Sequence, residues 1–88
     1  MDIYVVYGET GTYENHTDWI VCSFKDEGKA KKHCFQCQVR ADELIKEDEN
    51  LWDIPDGANE YDPDMQVESN FNGFLEVSYG YYKIELRD

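Results

Sequence analysis

Eighty-eight residues carry 20 acidic and eight basic side chains, a net charge of −12, with 41% apolar and 15% aromatic residues. That aromatic content excludes a disordered acidic tail, whose signature is high charge with few rings, and leaves enough for one modest core. The charge disfavours direct nucleic-acid binding, because phosphates need cationic partners, and no run approaches the roughly 18 apolar residues of a membrane span.

The opening Met1-Asp2-Ile3-Tyr4-Val5-Val6 lacks the basic region of a secretory leader, and three cysteines suit a reducing compartment better than a disulfide framework. A single domain over residues 1–88, located in the cytoplasm, is therefore expected. Residues 3–7 form a β-branched and aromatic run closed by Gly8-Glu9-Thr10-Gly11, which reads as a strand and a turn. Residues 17–24 repeat that character, so a hairpin over the 8–15 loop is expected.

Residues 25–47 hold no Pro and one Gly, and their apolar positions recur at helical spacing. Ala30, Cys34, Cys37, Ala41 and Leu44/Ile45 make one narrow stripe, with Ser23 or Asp26 as N-cap. Phe35 and Val39 lie about 140–180° away from that stripe, at about 100° per residue. Two large apolar groups there need a cover, and the segment 48–64 is expected to supply it, with a protein interface as the alternative.

Residues 48–64 contain Pro55, Gly57 and Pro63 and read as a long loop anchored by Leu51, Trp52, Ile54 and Tyr61. Residues 66–71 and 74–79 flank Asn72-Gly73, a strong hairpin signal because both turn residues need positive φ. Leu75, Val77 and Tyr79 share one parity and Tyr82, Ile84 and Leu86 the other. A β-bulge at Gly80 would return both sets to the core. The expected fold is α+β, a four-stranded antiparallel sheet with one long helix on one face (ββαββ).

Charge is strongly segregated. From Glu47 to Tyr82 there are ten carboxylates and no Lys or Arg, whereas Lys25, Lys29, Lys31, Lys32 and Arg40 fall within sixteen positions. Self-repulsion on this scale costs stability, so such a field suggests a positive partner, with solubility as the plain alternative. The expected partner-binding residues are Glu47, Asp48, Glu49, Trp52, Asp53, Asp56, Glu60, Tyr61, Asp62 and Asp64. Their carboxylates would stand where phosphates otherwise bind, and Trp52, Tyr61 and Phe71 would supply desolvated anchors.

His33-Cys34-Phe35-Gln36-Cys37 is the one chemically suggestive motif. Side chains three and four apart on a helix are neighbours, at about 5–6 Å between Cβ atoms. Two thiolates so placed can share a tetrahedral zinc at about 2.3 Å, with imidazole as a third ligand. If the helix returns over the second strand, Cys22 or Asp18 comes within reach as the fourth ligand, and His16 is more marginal. The competing reading takes Cys22, Cys34 and Cys37 as small buried hydrophobes.

Catalysis has little support, and the chain is read as non-enzymatic. Neither Ser nor Cys stands in a nucleophile-elbow context, and the CxxC lies mid-helix, away from the dipole that would activate a thiol. Gly8-Glu9-Thr10-Gly11 lacks the Lys of a phosphate loop, and the acidic loop lacks EF-hand spacing.

The framework IYVVYGETGTYENHTDW, then ADEL late in the helix, then NEYDPDMQ resembles a group of short, functionally uncharacterised proteins found mainly in phages, prophages and other mobile elements. The resemblance spans almost the whole chain, through structural motifs. It implies a small cytosolic mobile-element protein of the anti-defence class, and in particular an anti-CRISPR inhibitor of a Cas9-type effector. Cys34 and Cys37 depart from that pattern. The alternative is a small zinc-stabilised structural or regulatory domain without nucleic-acid mimicry.

Overall fold

The structure, a computed structural model, describes residues 1–12, 16–47, 57–69 and 75–87, with the backbone alone at Glu47 and Ser69. The elements are β1 (Asp2–Thr10), β2 (Thr17–Phe24), α1 (Glu27–Glu47), β3 (Glu68–Ser69) and β4 (Leu75–Glu85). Three full strands form an antiparallel sheet in the order β2-β1-β4, and α1 packs across one face. Of the expected fourth strand over residues 66–71, the described residues 66–69 include β3, whose two residues pair with Glu76 and Leu75, and residues 70 and 71 lie outside the described residues. The Asn72-Gly73 turn lies outside the described residues.

The helix forms where its signals place it. Asp26 is the N-cap, with its Oδ1 accepting from Lys29 N–H at 3.0 Å. Ala30, Cys37 and Ala41 are completely buried, so the small-residue stripe is the face that meets the sheet. Val6, with no exposed surface, and Val77, with 3%, oppose it. Burying a side chain such as Val6 contributes about 1.5–3 kcal/mol.

Pleat parity assigns the rest. Along β1, Tyr4, Val6, Gly8 and Thr10 face the helix, level with Lys83, Tyr81, Tyr79 and Val77 of β4. Ile3, Val5 and Tyr7 face the other side, level with Ile84, Tyr82 and Gly80.

The expected bulge at Gly80 does not occur, since β1–β4 register runs unbroken from Asp2↔Glu85 to Thr10↔Val77. Gly80 instead leaves room for the Tyr7 ring, because an added Cβ would lie 2.6 Å from Tyr7 Oη. The irregularity falls between β1 and β2. Val6 pairs with Cys22 and Tyr7 with Ile20, which leaves Val21 as the extra residue. That shift lets Trp19, Cys22 and Phe24 all face the helix.

Candidate functional site

The described part of the 48–64 loop, which begins at Gly57, is held in place by two buried polar side chains. Asn59 and Asp62 have no exposed surface. Asn59 Nδ2 donates to the Cys37 carbonyl at 3.2 Å, and its Oδ1 accepts from Tyr61 N–H at 3.0 Å. Asp62 Oδ2 accepts from Trp19 Nε1–H and from the Tyr79 hydroxyl, each at 2.8 Å, and Oδ1 accepts from Asp64 N–H at 3.2 Å. The Tyr61 carbonyl accepts from His33 Nε2 at 2.8 Å and from Cys37 Sγ at 3.6 Å. Each buried polar atom finds a partner, which is the condition for placing it there.

This arrangement turns the loop's chemistry partly inward. Asp62 is a clamp between β2, β4 and the loop, and its burial removes it from the surface expected to meet a partner. Tyr61 is half-buried, while Glu60 and Asp64 are exposed. Glu60 Oε2 lies 3.1 Å from Arg40 Nε, and Arg40 Nη1 lies 3.2 Å from Glu43, an exposed network that ties loop to helix. Glu47 closes α1. Asp48, Glu49, Trp52, Asp53, Asp56 and Phe71 lie outside the described residues.

The proposed metal ligands are partly brought together. Cys37 is buried, Cys34 and Cys22 are half-buried, and all three thiols are free. Burial pushes the Cys37 thiol up to about 12, with the Asp62 charge and the neighbouring Cys22 and Cys34 adding to it. Burial raises Cys22 and Cys34 as well, Cys22 also feeling Asp62. Tyr79 is held well above the usual phenol range by burial and by its bond to Asp62. Thiols in such surroundings stay neutral and are weak nucleophiles.

Among the described residues, no group of three or more His, Cys, Asp and Glu is placed to hold a metal ion. Of the two expected fourth ligands, Cys22 shares the helix side of the sheet with Cys37. Asp18, level with Glu9, turns to the opposite side. There it lies 3.7 Å from His16 Nε2, which is also 3.9 Å from Glu9.

Among the described residues, two apolar surfaces stand out. On α1, Phe35 is 69% exposed and Val39 39%, in a hollow edged by Arg40, Glu60 and Tyr61, so the described part of the 48–64 loop does not cover them. The helix-free face of the sheet carries Ile3, Val5, Tyr7, Ile20, Tyr82 and Ile84. Ile20 is 63% exposed, and a groove of about 400 Å³ there is lined by Tyr7, Asp18, Trp19, Ile20 and Tyr82. Sequence reasoning missed this face because the bulge assigned to Gly80 would have sent Tyr82 and Ile84 into the core. The signal was the switch of parity itself, since an uninterrupted strand puts Leu75, Val77 and Tyr79 on one face and Tyr82, Ile84 and Leu86 on the other.

Compared with protein-family models, with curated proteins and with solved structures, the chain matches none. No helix among the described residues is long and apolar enough to cross a membrane.

Proposed function

We propose that the protein is an acidic inhibitor that covers a basic surface on a nucleic-acid-handling defence protein, with a Cas9-type effector as the target and mobile-element, anti-CRISPR biology as its setting. The observation that carries this reading is the run from Glu47 to Tyr82 with ten carboxylates and no Lys or Arg. Within it Glu60, Asp64, Glu68 and Glu76 are exposed. A field of one sign steers an oppositely charged partner and raises the on-rate. The reading includes a complete fourth strand over residues 66–71, a cytoplasmic location and a non-enzymatic mode of action.

The test is DNA loading by a guide-charged Cas9-type nuclease at increasing protein and salt concentration. Inhibition is expected to weaken steeply with ionic strength. The double variant Glu60→Lys with Asp64→Lys is expected to lose at least tenfold, mainly in association rate. Asp62 is left intact because its substitution tests folding rather than binding. Equal inhibition by variant and wild type would sink the mimicry.

Zinc is the second reading, supported by three free thiols, Cys22 on the helix side of the sheet and Cys34 and Cys37 one turn apart on α1. Elemental analysis near one zinc per chain, with a melting temperature lowered by chelator, is its expected signature. Metal-free protein of unchanged stability would leave the thiols as core.

A further inference from the structure

The helix-free face of the sheet joins an apolar centre to acidic groups at one end. Its centre is apolar and aromatic, from Ile3, Tyr7, Ile20, Tyr82 and Ile84, and Glu9 and Asp18 lie level with each other at one end of the same face. Among the described residues that pleat parity puts on this side, none is Lys or Arg. His16 Nε2 lies 3.9 Å from Glu9 and 3.7 Å from Asp18, beside that acidic end. Tyr7 and Tyr82 are tilted by 43° with ring centres 5.8 Å apart, beside the groove that Ile20 and Asp18 also line. The Gly80 position opens this geometry, since any side chain there would displace the Tyr7 ring.

We infer that this face docks an arginine-bearing segment of a basic protein partner, with one guanidinium stacked in the groove against Tyr7 and Tyr82 and its charge met by Asp18. The inference rests on the basic-partner reading above and adds a second point of contact, on the side of the sheet opposite residues 57–64. Charge complementarity selects the occupant. A second copy would bring another net −12 and, on this face, no Lys or Arg to meet Glu9 and Asp18. A nucleic acid would be repelled outright. Arginine fits better than lysine because its planar, weakly hydrated cation stacks on aromatic faces, whereas an ammonium gives up more hydration. The apolar strip beyond the groove, from Ile3 to Ile84, would seat the aliphatic neighbours of that arginine, as the desolvated centre of an interface requires.

The experiment is a titration of isotope-labelled protein with a nonapeptide alternating arginine and leucine, followed by amide resonances. Matched peptides carry lysine or uncharged citrulline in place of arginine. Shifts are expected at Tyr7, Asp18, Ile20 and Tyr82, at least fivefold tighter for the arginine peptide than for the lysine peptide, and absent with citrulline. Tyr82→Ser and Asp18→Asn, both at exposed positions, should each weaken binding at least fivefold. Ile20→Ser on the edge strand serves if circular dichroism shows Tyr82→Ser to be unfolded. Shifts confined to residues 60–64 or to α1 would overturn this face while leaving the acidic-surface reading in place. Equal response to arginine and lysine, insensitive to the variants, would mean diffuse charge attraction and also overturn it. Concentration-dependent mass in sedimentation, abolished by Ile20→Ser, would make a second copy the occupant and end the proposal. No response to either cationic peptide, with nuclease inhibition intact and unchanged in Tyr82→Ser, would remove the face and spare the inhibitor.

Discussion

Asp62 shows how one residue can reverse its reading once its surroundings are known. In sequence it is one carboxylate among many, whereas in the fold its two oxygens accept three hydrogen bonds from Trp19, Tyr79 and Asp64. An Asn there presents an amide NH2 to at least one of those donors, whichever way it turns, and leaves that donor unpaired. Asp62→Asn is expected to cost about 1–3 kcal/mol, read from urea unfolding. A value within experimental error of wild type would show that the clamp holds nothing. Cys37 gives a pH prediction of definite sign. Its folded thiol is raised to about 12, above the ordinary 9.0 of the unfolded chain, so the folded state keeps a proton that the unfolded state loses. That contribution is whole below pH 9 and is lost as the pH rises toward 12. The urea midpoint should therefore fall above pH 9, and fall less steeply in Cys37→Ala. Parallel profiles would place the alkaline loss elsewhere, Tyr79 being the next group raised in the same sense.

At the scale of elements, the sheet is organised by two glycines opposite aromatic rings. A Cβ on Gly8 would sit 2.5 Å from Trp19 Cζ2, and one on Gly80 2.6 Å from Tyr7 Oη. The two sites differ in how freely the ring can yield. Trp19 is tethered through Nε1 to the buried Asp62, while Tyr7 stands at the open groove with its hydroxyl as the nearest atom. Gly8→Ala is accordingly expected to cost about 1–3 kcal/mol, as overpacking does, and Gly80→Ala distinctly less. Thermal unfolding of the two variants side by side checks the order, and equal losses would mean the Trp19 tether gives no rigidity. The bulge at Val21 acts in the same plan, since it sets Trp19 and Cys22 on one side despite their odd spacing.

For the molecule as a whole, the charge of −12 sets two salt effects against each other. Self-repulsion opposes the compact chain, and raising ionic strength from 0.01 to 0.15 M shortens the screening length from about 30 to about 8 Å. The melting temperature of the isolated protein is expected to rise over that interval, while its complex with a basic partner weakens. Opposite slopes for folding and binding are the signature of a surface shaped for a cationic ligand. A melting temperature indifferent to salt would mean the carboxylates are already balanced locally, as Glu60 is by Arg40.

Much of the fold follows from local rules that need no distant contact. Period-2 runs at residues 3–7 and 17–24, the Asp26 cap and the stripe Ala30–Cys34–Cys37–Ala41 led to the hairpin, the helix and its buried face, each set by backbone geometry within a few residues. Charge segregation was equally legible, because it is a property of composition and order. What only the tertiary structure decided is where side chains go when two elements compete for them. A glycine in a strand is compatible with a bulge or with a ring lying over it, and the choice at Gly80 depended on Tyr7 of another strand. Asp62 became a core residue because Trp19 and Tyr79, far away in sequence, bring donors to it. Tyr82 and Ile84 came to the sheet's second face because the β1–β4 register is unbroken, and register is settled between strands and not within one.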